Sequence, residues 1–170
     1  MRLRRVVSRL TGGTLAGRAQ RVEVKLFQIE EPDGGPADPS APGAAIGIDA
    51  GGGEAEVAFS VGGNAVVLGD REGFERALAV PDPTAGEAQW QELFEAARIR
   101  AERALARPVS HAVVVLGALA DAELPNKLRE AAEAAGLTVL RLIRKAELPA
   151  GASAVLTAAI LAEDLAPPPD

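Results

Sequence analysis

Ile46-Gly47-Ile48-Asp49-Ala50-Gly51-Gly52-Gly53, followed by Glu54-Ala55-Glu56-Val57-Ala58-Phe59, reads as a buried strand that enters a glycine hairpin and returns as a second strand. A small carboxylate and bare backbone at one strand end are what a magnesium-phosphate group needs. Asp49, Gly51, Gly52 and Gly53 are therefore the candidate phosphate or metal site. The same four residues also serve simply to shape a hairpin, and at this level both readings stand.

Working outward, Ala45 to Asp49 is expected as strand one, Glu54 to Val61 as strand two and Asn64 to Leu68 as strand three, with Gly62-Gly63-Asn64 as a tight turn. Asp70 to Ala79 is expected as a short helix broken by Pro81-Asp82-Pro83. Thr84-Ala85-Gly86-Glu87 has the form of a capping box. Trp90, Leu93, Phe94, Ala97, Ala101, Ala104 and Leu105 trace one face of the long helix behind it, with Trp90 as a core anchor. Ala112 to Leu116 is the continuous apolar run of a central parallel strand. Asp121 is expected to cap the next helix, Gly136 to close it, and Leu137 to Ile143 to form strand five. A last helix is expected from about Gly151 to Glu163, before Pro167-Pro168-Pro169.

The 170 residues are 48% apolar, enough for one substantial core and hardly two. Aromatics are scarce, so the core is built from small aliphatic side chains close to backbone, which suits helices on a parallel sheet. With no cysteine there is no disulfide framework and no thiolate site, which fits a reducing, cytoplasmic setting. The longest weakly polar run, Ala150 to Ala162, is too short for a membrane span, and no signal peptide is evident.

The net charge of -6 is uneven. Seven basic residues between Met1 and Lys25 stand against Glu23, about +6, which leaves about -12 on the rest. Residues 1–30 therefore read as a basic arm, with a short amphipathic helix that holds Arg2, Arg5 and Arg9 off its apolar face and an extra strand from Arg21 to Glu30. The helix packs on its own acidic body or docks on a partner. Residues 31–43 read as a flexible linker, 44–165 as the folded domain and 166–170 as a disordered tail. The acidic body repels nucleic acid, which makes that partner unlikely, although the arm attracts acidic surfaces.

Pro108 to Val115, then Glu130 to Ile143, resembles the DnaK-type heat-shock chaperones, where an equivalent strand, helix and "AGL-V-RII" strand lead into an "NEPTAAALAYG" crossing helix. Gly47-Ile48-Asp49-Ala50-Gly51 likewise resembles that family's "GIDLGTT" phosphate loop. The likeness spans roughly Ala44 to Leu165. It implies an α/β, ribonuclease-H-like lobe of the actin-like ATPase type: a five-stranded mixed sheet of order 3-2-1-4-5 flanked by helices, with the N-terminal helix and strand added.

The departures from the family carry the functional reading. Gly52-Gly53 replace the loop's two threonines, and the insertion that supplies the family's catalytic lysine is reduced to Gly69 through Pro83. "NEPTAA" becomes Arg144 to Ala150, with Lys145 aligned to its glutamate unless the register shifts by two to Glu147. The second lobe is not in this sequence. Phosphoryl transfer needs several groups around the phosphates, and here only Asp49, with Glu147 as an addition, can be placed.

The expectation is a noncatalytic protein-interaction or assembly module: a pseudo-ATPase, chaperone-like in fold, with no catalytic set, no metal and no cofactor. Its interface is expected on the last helix at Ala152, Val155, Leu156, Ala159 and Ile160, covered by a second copy in a homodimer or by another protein. One alternative is a metal-dependent ribonuclease-H-like nuclease of the resolvase type, with "GIDPG" likened to the loop and Asp49, Asp121 and Glu92 or Glu95 as carboxylates. The other is a nucleotide-binding lobe completed by a partner chain. His111, the single histidine, has no serine or cysteine partner that the sequence names, and the glycine loop lacks the Lys-Ser/Thr ending of a P-loop.

Overall fold

The computed structural model of the chain describes residues 43–69, 77–118 and 122–168. The basic arm with Arg2, Arg5 and Arg9, the Arg21 to Glu30 strand, nearly all of the linker, and Asp121 lie outside the described residues.

The strand that opens the fold is β1, Ala44–Ala50, and all seven of its residues are buried. It earns that position by pairing on both edges: antiparallel to β2, Glu54–Val61, and parallel to β5, Val109–Leu116. β2 continues through Gly62 and Gly63 into β3, Asn64–Val67. Both glycines have positive φ, 59° and 77°, the requirement of a two-residue hairpin turn that follows the strand twist. β5 pairs in parallel with β6, Thr138–Arg144.

The expected helix from Asp70 to Ala79 is corrected at its end. Leu78–Ala79 is a two-residue strand, β4, paired with Ala55 and Glu54. The reason is geometric: β3 pairs only with Ala58 to Val61, so the start of β2 has an open edge that the returning chain fills. The order 3-2-1-4-5 is therefore rewritten for six strands, β3-β2-β1-β5-β6, with β4 beside β2 off that path. Among the described residues the architecture is α/β with a mixed sheet and three α-helices.

Two helices cover one face. α1, Glu87–Leu105, buries Trp90, Leu93, Phe94, Ala97 and Ala101, and α2, Leu124–Ala134, buries Leu124, Leu128, Ala131 and Ala132. These residues meet Ile46, Ile48, Ala112 and Val114 of the central strands. Full burial of each of the larger side chains stabilises by roughly 1.5–3 kcal/mol relative to exposure. The capping box expected at Thr84 does not form, because the Thr84 hydroxyl and N–H both donate to Asp82 Oδ1, at 2.6 and 2.8 Å. α1 starts instead after Gly86 without a side-chain cap. Arg98 Nε of α1 donates to Ala135 O at the end of α2, 2.8 Å, and Gly136 turns the chain out at φ 81°.

The third helix, α3, Ala154–Leu165, crosses the opposite face, where Ala154, Ala158 and Ala162 pack on Ala45, Val113 and Val115. Its alanines let its backbone lie directly on β1. A Cβ placed on Gly47 would sit 2.3 Å from Ala159 N and 2.8 Å from Val155 O. The far end of α3 is pinned by Glu163, whose carboxylate accepts from Ser60 Oγ, 2.6 Å, and from the N–H groups of Gly62 and Gly63 in the hairpin.

The Ser60 hydroxyl, and then the Gly63 N–H, hold the Glu163 carboxyl below the usual carboxylate range against an opposing desolvation. A folded-state pKa below the unfolded value stabilises the fold above the unfolded pKa and is lost as pH falls through the folded one. Glu163→Gln is accordingly expected to flatten the loss of thermal midpoint below about pH 4.3, the ordinary glutamate value. Thermal melts across pH 3 to 7 check this, and parallel profiles for the two proteins would contradict it.

Candidate functional site

Asp49 is the penultimate residue of β1, opposite Glu56 on one side and Val115 on the other, and is 7% exposed. A carboxylate this deep needs partners. Its Oδ1 accepts the N–H of Gly51 at 2.8 Å, and Lys145 Nζ lies 3.4 Å from its Oδ2. Lys145 opens the short 3-10 turn Lys145–Glu147 that follows β6, so two segments 96 residues apart in sequence meet at this carboxylate. The lysine is half-exposed and the contact is long, so the pair contributes little stability, about 0–1 kcal/mol. Its significance is chemical: both carboxylate oxygens are engaged within the chain.

The glycines around it differ in purpose. A Cβ on Gly51 would stand 2.9 Å from Asp49 Oδ1 and 3.1 Å from Lys145 Cδ, and one on Gly117, just beyond β5, would stand 3.1 Å from Gly51 O. These two glycines let the β1–β2 turn and the end of β5 touch. Around Gly52 the nearest such neighbour is Glu54 O at 3.8 Å, and around Gly53 there is none within 4 Å. Neither has positive φ, so the described structure demands glycine at neither position.

The other carboxylates go elsewhere. Glu147 accepts from Arg144 Nε at 2.8 Å and pairs with its terminal nitrogen at 2.7 Å, and this contact with Arg144 holds its carboxyl below the usual range. It is turned to its own strand end, not to Asp49. Glu92 and Glu95 are exposed on α1. Among the described residues no group of three or more histidine, cysteine, aspartate or glutamate side chains could hold a metal ion. Asp121, which the nuclease arrangement requires, lies outside them.

His111 does have a serine partner: its Nδ1 lies 2.8 Å from the hydroxyl of the adjacent Ser110, a local contact that sequence reading passed over. The pair sits near the start of β5, whereas Asp49 sits near the end of the parallel strand β1.

The expected interface on α3 is divided by the fold. Val155 and Ala159 are buried against Ala58 of β2, because the helix turns that face to the sheet. Ala152 is exposed in the preceding loop, Leu156 is half-buried and Ile160 is exposed, with Leu165 exposed a turn further on. Within the expected set, Ala152 and Ile160, with part of Leu156, make up the solvent-facing portion.

Beside the Asp49 turn lies a cleft of about 320 Å³, bounded by Gly51 and Gly52, the Val80–Pro83 segment, Trp90, Leu116 and Leu124. Trp90 is buried against Phe94, with ring centroids 6.4 Å apart, and among the described residues its Nε1 has no hydrogen-bond partner. A buried donor left unpaired costs about 1–3 kcal/mol. Neither Lys145 as the partner of Asp49 nor this orphan N–H was placed from sequence.

No protein-family model matches the chain, and no curated protein matches it in sequence. Among the described residues no helix is long and apolar enough to cross a membrane.

Proposed function

We propose that this chain carries a ribonuclease-H-like lobe of the actin-like ATPase type that has lost its chemistry and serves as a noncatalytic protein-interaction or assembly module. The observation that carries this reading is the Lys145–Asp49 contact. In a magnesium-phosphate site the strand-end carboxylate faces a cation supplied with the ligand, and a second carboxylate helps to hold it. Here a tethered ammonium faces Asp49, and the nearby Glu147 is paired with Arg144. The site supplies its own countercharge. A divalent ion would have to displace Lys145 and would meet one carboxylate where several are needed.

Interaction is the use that fits what remains. Ile160 and Leu165 are exposed on α3, and Val61 and Val66 on the β2–β3 hairpin. The economical partner is a second copy, in a cytoplasmic setting consistent with a chain free of cysteine. Light scattering of the full chain over a hundred-fold range of concentration is expected to show a dimer, and Ile160→Asp to shift it towards monomer. A monodisperse monomer throughout would remove self-association. Magnesium- or manganese-dependent cleavage of branched or single-stranded DNA, lost in Asp49→Asn, would replace the whole reading with the nuclease.

A further inference from the structure

We propose that two copies of this chain join edge to edge through β3, antiparallel about a two-fold axis at Val66, so that their sheets become one. The inference rests on the self-association proposed above and names the surface that carries it.

The backbone sets the geometry. β3 ends the strand order, with β2 on one side and no strand among the described residues on the other. Leu68 N–H donates to Val57 O at 2.7 Å, and the register sets Phe59 opposite Val66 and Ser60 opposite Ala65. Hydrogen-bonded and non-bonded pairs alternate along an antiparallel ladder. Val57 with Leu68, Phe59 with Val66 and Val61 with Asn64 are therefore the bonded pairs, and the N–H and C=O groups of Ala65 and Val67 point away from β2. Such a row is a template for another strand. When β3 meets its own copy with Val66 opposite Val66, Ala65 of each strand faces Val67 of the other, and these outward groups pair.

The side chains decide the occupant. Asn64, Ala65, Val66 and Val67 carry no charge, in a chain of net charge -6. Two identical edges thus meet with no like charges opposed, and the axis sets two β-branched side chains against each other, a favourable cross-strand pair. The opposite edge, β6, carries the exposed Arg141 and Arg144, the kind of charge that keeps an edge from pairing. A contact of β3 on β6 would also be head-to-tail, giving rings or open chains, whereas β3 on β3 closes as a dimer.

The exposed apolar residues gather at the same place. Among the described residues the large ones are Val61, Val66 and Val67 on the hairpin and Ile160 and Leu165 on α3. Leu156 of α3 packs in one small cluster with Ala65 of β3, and Ile160 lies about one turn further on the same side of the helix. A sheet continued past β3 brings those sides of the two α3 helices together, so one contact covers both edge and helix.

Sedimentation and amide hydrogen exchange of the full chain across concentration test this. The Ala65 and Val67 amides are expected to exchange freely in the dilute monomer and to become protected as the dimer forms. Val66→Lys and Val66→Glu, at an exposed position, are each expected to weaken self-association by about ten-fold or more, since like charges then meet on the axis. An equimolar mixture of the two should restore it, a rescue that neither an unfolded variant nor an interface elsewhere would give. Weakening without rescue would place the axis elsewhere and overturn the proposal. A dimer that both variants form as readily as the parent, with Ala65 and Val67 still exchanging freely, would overturn it and leave self-association standing. A monomer at every concentration would remove both. Protection of these amides already in the monomer would mean that a segment of the same chain covers β3, and would likewise overturn it.

Discussion

Gly47→Val is expected to cost at least about 3 kcal/mol, at or beyond the upper end of ordinary overpacking, and so to remove a large share of a typical total of about 5–15 kcal/mol. The atoms a side chain would meet are backbone: Ala159 N at 2.3 Å, Ala158 C at 2.7 Å and Val155 O at 2.8 Å. No rotamer change relieves such contacts. The helix would have to lift from β1, and with it would go the packing of Ala154, Ala158 and Ala162 on Ala45, Val113 and Val115. Gly53→Ala is the control, since nothing lies within 4 Å of the added carbon, and it should stay within about 0.5 kcal/mol of the parent. Urea titrations followed by circular dichroism measure both. Equal losses for the two variants would show that α3 does not rest on Gly47.

Phe94→Ala is expected to cost about 3–5 kcal/mol, the usual range for deleting a fully buried aromatic ring. Phe94 has no exposed surface, faces the sheet from the middle of α1 and touches Trp90. With so few aromatic residues in the chain, nothing of comparable size stands by to fill the space, and the surrounding alanines are too short to collapse into it. The lone tryptophan should report the same event by a red-shifted emission. A loss below about 1 kcal/mol with unchanged fluorescence would mean that α1 is not packed through this ring.

Much of the layer structure is legible in the sequence because the period of apolar residues changes with the environment of each segment. The unbroken run in β5 signals cover on both faces, and the Trp90, Leu93, Phe94, Ala97, Ala101 spacing signals one buried helical face. β4 is too short to carry any period, so its two residues could be found only from the open edge of β2. Thr84 has the residue types of a cap but is taken by Asp82 two positions earlier, a competition that the motif does not display.

The candidate site is legible at Asp49 and Gly51, where a strand end and a turn coincide locally. It is not legible at Lys145, which reaches Asp49 only because β6 runs parallel to β5 and ends level with β1's carboxyl end, across β5. On α3 the apolar residues surround most of the helix, so periodicity could not say which side faces the sheet. The structure turns Val155 and Ala159 inward and leaves Ile160 outside.

The claim that Asp49 is neutralised from within is tested most directly by titration calorimetry of the full chain with magnesium and ATP. No saturable heat is expected at millimolar nucleotide, either for the parent or for Asp49→Ala. A stoichiometric isotherm for the parent that Asp49→Ala abolishes would contradict the account.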